Sequence, residues 1–127
     1  MQAWGAREIT FVDNGRVSYS NPARQWLYTF EDSKMNKPKA QTAAERLKEV
    51  FPDLNTTGVE ITIPMPGHIV QGEAAVKECV EATKKIEELI KSHDVLFLLL
   101  DSREARWLPT LLGTVHKKAR TIYIIHR

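Results

Sequence analysis

The chain reads as an α/β protein with a mainly parallel sheet and helices on both faces. Three observations predict this. Short apolar runs alternate with longer stretches in which apolar residues recur at helical spacing. One of those runs, "VLFLLL" at 95–100, is apolar throughout, like a strand buried on both faces of a parallel sheet. Parallel neighbours need crossover connections, and the stretches between the runs are long enough to supply helices.

Taken in order, "EITFVD" at 8–13 is a strand, and a polar loop follows it. Residues 37–51 form a helix. Pro38 suits its first turn, and Ala40, Ala43, Ala44, Leu47 and Val50 recur along one face. "TGVEITI" at 57–63 is a second strand, closed by the Pro- and Gly-rich loop "PMPGHIVQG". Residues 73–92 form a long amphipathic helix with Val76, Val80, Ile86, Leu89 and Ile90 on its apolar face. The strand at 94–100, a helix at 103–118 and a strand at 121–126 complete the series. The whole of 1–127 is read as one domain.

Composition narrows the classes of function. The 127 residues are 43% hydrophobic and 27% charged, which is globular rather than disordered. The net charge of +2 comes from mixed charges without a basic stripe, so no nucleic-acid partner is expected. The longest apolar run is too short for a membrane span. The first residues lack the apolar middle of a secretion signal, so a cytoplasmic setting is expected. Cys79 is the one cysteine, which excludes an internal disulfide and a CxxC metal site. It falls near the apolar face of the long helix and reads as an inert buried thiol. His68 reads as a loop structural residue, His93 and His116 as solvated side chains, and Trp107 as packing under a site.

In open parallel sheets, ligands bind beyond the carboxyl ends of the strands. Two acids stand there: Asp13 after the first strand and Asp101 after the third. By itself Asp13 begins a turn, as "DNG" often does. Alone, Arg24 is a solvated surface charge and Lys39 a charge on a helix face. Together the set changes meaning. Asn21 and Arg24 lie three residues apart soon after Asp13. Lys39 opens a helix, where backbone N–H groups and the positive dipole end attract anions. Such a set could hold a nucleoside triphosphate, the carboxylate on ribose and the cations on phosphate. Asp101 is then suited to magnesium, which takes a carboxylate together with phosphate oxygens.

The strings that carry these residues are "ITFVDNGRVSYSNPARQWLYTFED", "KPKAQTAAERLKEVFP", "IPMPGH" and "SHDVLFLLLDSREARWLP". They resemble the adenylation domains of the ubiquitin-like-modifier-activating enzymes of autophagy, within the ThiF/MoeB-type superfamily. The likeness runs from Trp4 to Pro109. It implies a Rossmann-like fold and use of ATP and Mg2+. It also implies adenylation of the C-terminal glycine of a ubiquitin-like modifier, followed by thioester formation. The implied partners are the ubiquitin-like modifiers of autophagy and their carrier enzymes, and the full-length family is homodimeric. By position, Asp13 matches the ribose-binding acid, Asn21 and Arg24 the triphosphate contacts, Lys39 the phosphate-binding lysine and Asp101 the magnesium-binding acid. Arg106 matches a superfamily arginine and joins Arg24 as a catalytic candidate. Cys79 matches no nucleophile of the family.

The family's first strand, Gly-rich loop and catalytic-cysteine region have no counterpart in the sequence. The chain is therefore expected to be an incomplete domain and inactive by itself. The strands at 8–13 and 57–63 are expected on one side of a vacant position in the sheet, and those at 94–100 and 121–126 on the other. A non-catalytic binding fragment and another adenylyltransferase of the same superfamily are the alternatives the residues leave open.

Overall fold

A computed structural model of the chain describes residues 5–122. The described residues divide between 62 and 63 into two compact units. In the first unit, β1 (Glu8–Val12) pairs in parallel with β2 (Asn55–Val59), Glu8 opposite Asn55 and Val12 opposite Val59. The connection between them holds α1 (Phe30–Lys34) and α2 (Lys39–Val50). In the second unit, β3 (Val95–Leu98) pairs in parallel with β4 (Ala119–Ile122). There, α3 (Glu73–Ser92) precedes β3, and α4 (Arg103–Val115) forms the crossover. The α/β class and the parallel pairing are as the sequence predicts, and the strands pair two by two, 8–12 with 55–59 and 95–98 with 119–122.

The first unit is held by α2 lying across β1 and β2. Its small residues do this: Ala40, Ala43, Ala44 and Leu47 are buried, together with Leu54 before β2. Val50, expected on the same face, is exposed because the helix ends there. Pro38 occupies the N-cap position with extended backbone, one residue outside the helix rather than in its first turn. The second strand is two residues earlier than expected at its start and four shorter at its end. The ladder explains this. Its partner β1 stops at Val12, and the turn after Asp13 carries the chain away, so the backbone of residues 60–63 meets no further ladder partner on β1.

In the second unit, α3 matches its expected limits. Its apolar face is only partly covered, because α4 lies against its later turns. Ile86 and Ile90 are buried, whereas Val76 and Val80 are about half exposed. β3 is likewise covered on one face. Leu98 is 2% exposed, but Val95 and Leu99 on the opposite face are 47% and 65% exposed. The expectation of burial on both faces is corrected to that extent. α4 ends at Val115, three residues earlier than expected, with His116 as its C-cap. Lys117 turns the backbone left-handed at φ 53°, and the Lys118 N–H closes on the Gly113 carbonyl. β4 accordingly begins at Ala119, and the expected strand residues 123–126 lie outside the described residues. Among the described residues, no helix is long and apolar enough to cross a membrane.

The element with no counterpart in the sequence reading is α1. It is a five-residue helix closed by a reciprocal cap: Thr29 accepts from the Asp32 N–H, and the Asp32 carboxylate accepts from the Thr29 N–H.

Candidate functional site

Asp13 is delivered by the last step of β1. Its N–H still bonds the Val59 carbonyl, so the ladder holds its backbone while the side chain stands free of the sheet. Its Oδ1 then accepts the Gly15 N–H at 2.7 Å, which makes the turn. The chain returns antiparallel to itself: Arg16 faces Pro38, the Lys39 N–H bonds the Gly15 carbonyl, and the Val17 N–H bonds the Lys37 carbonyl. The first residue of α2 is thus stitched to the turn after Asp13.

Gly15 sits where those two groups meet. A β-carbon placed there would lie 3.0 Å from Asp13 Oδ1 and 3.4 Å from Lys39 Cδ. The carboxylate and the lysine stem therefore flank one glycine. Asp13 and Lys39, twenty-six positions apart in sequence, share one corner at the carboxyl end of β1.

The loop after the turn is built on Asn21. This residue is 2% exposed, and its Oδ1 accepts the Ser18 N–H at 2.8 Å. Its carbonyl accepts the N–H groups of Arg24 and Gln25, giving one helical turn. The amide oxygen is thus committed to the loop. Arg24 stands at the end of that turn and is exposed. Among the described residues, neither the Arg24 guanidinium nor the Lys39 ammonium has a bond partner. Both remain available to a ligand.

Tyr28 belongs to this corner and escaped the sequence reading. Its hydroxyl donates to the Lys39 carbonyl at 3.2 Å. Burial, and then the nearby Asp13 charge, push the phenol up to about 12. Tyr28 is therefore a neutral donor at ordinary pH. Its raised value has a definite sign: the contribution to stability is complete below the unfolded phenol value of about 10 and is lost as pH rises through 12. In an absorbance titration at about 295 nm, the last phenol to ionise should vanish in Tyr28→Phe. If the wild type shows every tyrosine titrating together near 10, the placement of Tyr28 beside Asp13 is wrong.

The second unit carries the other two candidates. Asp101 follows β3, is exposed, and immediately precedes Ser102, which caps α4 by accepting the Ala105 N–H at 3.1 Å. Arg106 turns back to that loop, donating Nε and Nη2 to the Leu100 carbonyl at 2.8 and 2.6 Å. Its guanidinium ties α4 to the segment that carries Asp101.

Several residues differ from their sequence reading. Trp107 is 55% exposed rather than packed beneath anything in its unit. His93 is half-buried, with Nδ1 2.8 Å from the Leu89 carbonyl at the end of α3. His116 is half-buried and meets Glu87 at 2.9 Å, because the end of α4 packs on α3. Lys91 first, and then His116, hold the Glu87 carboxyl below its usual range. Cys79 is half-buried, not fully buried. His68 does not differ: it lies exposed in its loop, its backbone N–H toward the Met65 carbonyl.

The donor set suits a nucleoside triphosphate in part. Asp13, Arg24 and Lys39 offer one carboxylate and two uncommitted cations. Among the described residues, no three His, Cys, Asp or Glu side chains gather to hold a metal ion. Asp101 is a single exposed carboxylate, and a magnesium ion commonly completes such a site with water and phosphate oxygens.

The ThiF family model matches residues 1–120. Among curated proteins, the chain is 55% identical over 116 residues to the ubiquitin-like modifier-activating enzyme ATG7 of Kluyveromyces marxianus. It is 54% identical over 116 residues to that of Saccharomyces cerevisiae and 50% over 120 residues to that of Rattus norvegicus. These alignments cover 91%, 91% and 93% of this chain but 18%, 18% and 17% of the relatives. The chain thus spans less than a fifth of the length of the curated relatives it matches.

Proposed function

Because the chain belongs to the ThiF family, we propose that it is the nucleotide-binding part of a ubiquitin-like-modifier-activating enzyme of autophagy. In this reading, 1–127 is a partial adenylation domain. It handles Mg-ATP while the C-terminal glycine of a modifier is adenylated, before thioester formation and transfer to a carrier enzyme. The family's homodimer and cytoplasmic setting belong to the same reading. The observation that carries it is the corner where Asp13 and Lys39 flank Gly15, with Arg24 exposed on the loop that follows.

ATP would supply the adenylyl group, with pyrophosphate leaving, and Mg2+ would neutralise charge on the phosphate oxygens. The chain's residues hold and orient. Asp13 keeps one carboxylate oxygen on its turn and presents the other to a ribose hydroxyl. Lys39 and Arg24 place positive charge where attack on the α-phosphate builds negative charge, and fixed charges cost no reorganisation at that moment. Tyr28 keeps the Lys39 backbone in place. Asn21 shapes the loop that carries Arg24. Asp101 takes the metal, and Arg106 steadies the loop that carries it.

The test is a graft. The chain replaces the matching segment of the Saccharomyces cerevisiae relative, and modifier-dependent ATP–pyrophosphate exchange is measured. The graft should support exchange, and Asp101→Ala should remove most of it with a small change in Tm, since the side chain is exposed. A folded graft without exchange would sink the proposal, as would an Asp101→Ala variant that exchanges normally.

A further inference from the structure

The side chain most deeply buried in the first unit is a charged one. Asp32 is 0% exposed, yet it lies on a short helix in a polar loop. A lone buried carboxylate is costly, so its partners must be many and well placed. Four donors reach it. Oδ2 accepts the Thr29 N–H at 2.9 Å and the Thr29 hydroxyl at 2.8 Å. Oδ1 accepts Lys37 Nζ at 2.8 Å and Arg46 Nη2 at 3.1 Å. The Asp32 carbonyl also accepts the Lys37 N–H at 3.1 Å, so Lys37 is gripped at both ends.

Those partners are not scattered. Lys37 stands two residues before Lys39, and its carbonyl accepts the Val17 N–H. Arg46 lies two turns further along α2, which Lys39 begins. Next to Asp32, Ser33 donates to the Ser18 carbonyl at 3.1 Å, in the turn that Asn21 organises. The carboxylate therefore joins the loop that carries Arg24 to both the approach and the body of the helix that presents Lys39. Burial pushes the Asp32 carboxyl up. The bonds from Lys37, Thr29 and Arg46 outweigh that and hold it well below the usual carboxylate range, so it stays charged at any working pH.

We propose that Asp32 is a positioning residue for the nucleotide site, setting Lys39 and the Arg24 loop through Lys37 and Arg46. The inference rests on the functional reading above. Asp32 touches no ligand itself. Its carboxylate decides where α2 begins relative to the turn after Asp13, and a misplacement of about an ångström at a charged contact is enough to degrade it.

The experiment uses Asp32→Asn and Lys37→Met in the grafted full-length enzyme. Lys37→Met leaves Thr29 and Arg46 on the carboxylate, and the Tm of each variant is read beside its KM to register any loss of fold. Each should raise the KM for ATP on the order of tenfold, leaving the KM for the modifier nearly unchanged. Leu54→Ala serves as the destabilised control. Leu54 is buried at the opposite end of the β1–β2 ladder, so that variant should lower Tm without raising the KM for ATP. In a Lys39→Ala background, Asp32→Asn should raise the KM for ATP by a smaller factor than it does alone, since only the Arg24 loop is left to misplace. An unchanged KM in both variants, an equal rise in Leu54→Ala, or full additivity with Lys39→Ala would each overturn the proposal. Hydrogen exchange separates this from failure of the functional reading. If the unmodified graft is inactive, that reading falls. The positioning claim then still requires Asp32→Asn to speed exchange at the Val17 and Lys39 amides of the 127-residue chain, and unaltered protection there overturns it.

Discussion

Arg24→Ala in the grafted enzyme is expected to lower modifier-dependent exchange about 100- to 1,000-fold, the loss usual for one donor aimed at developing charge. The stability change should stay within about 0.5 kcal/mol. These two numbers belong together because of where Arg24 sits. Its backbone N–H completes the Asn21 turn, which alanine also does, while its side chain is exposed and engages none of the described residues. Removing it leaves no hole and no orphaned partner in the protein. Arg24→Lys should recover only part of the loss. A lysine restores charge but not the forked geometry that meets two phosphate oxygens at once. Lys39→Ala should fall on the same scale with a similarly small change in Tm. If Arg24→Ala exchanges within about threefold of the parent, the loop does not serve the phosphates, and the residue returns to a solvated surface role.

What the sequence made legible follows from what each element needs. The helix α2 shows itself because four small or apolar residues repeat toward one sheet, and that repeat depends only on the chain. Its partner strand is harder. Where β2 ends is decided by where β1 turns away, and the Asp13–Gly15 bond that turns it is invisible until the two strands are paired. Burial is harder still. The apolar residues of α3 and β3 obey their periods, yet Val76, Val80, Val95 and Leu99 are exposed, since burial also requires a neighbour on that face.

The candidate site divides in the same way. Asp13, Arg24 and Lys39 could be found because they punctuate a strand end, a loop and a helix start. Tyr28 and Asp32 could not be found by chemistry of that kind. One reads as an aromatic among aromatics in "QWLYTF" and the other as one acid of "FEDSK". A local signal for Asp32 did exist. Thr29 followed three residues later by an acid is a capping pattern, and it marks the start of α1. That the same carboxylate also reaches Lys37 and Arg46 is a tertiary fact. Arg106 teaches the converse. Its position matches a family arginine, but two of its donors are already spent on Leu100.

Gly58 is the position at which a single methyl group should do the most damage to the first unit. It lies within β2, opposite Phe11. A β-carbon there would come to 2.5 Å from the Ala40 carbonyl carbon, the Ala40 oxygen and the Gln41 α-carbon. All three are backbone atoms of the first turn of α2, so no side-chain rotation relieves the clash. Either α2 lifts from the sheet or β2 bends away from β1. Lifting the helix uncovers Ala40, Ala43 and Ala44, and bending the strand breaks ladder bonds of roughly 1 kcal/mol each. Gly58→Ala should therefore cost about 3 kcal/mol or more, at or beyond the upper end for overpacking a core. For a unit of this size, that is a fall in Tm of more than about 10 °C. The loss should reach the site as well, because the turn that must move begins with Lys39. The KM for ATP should rise in any Gly58→Ala graft that still folds, measured well below its lowered Tm. A Tm within about 3 °C of the parent would mean that α2 does not rest on β2 at this residue. The corner that places Lys39 beside Asp13 would then lose its support.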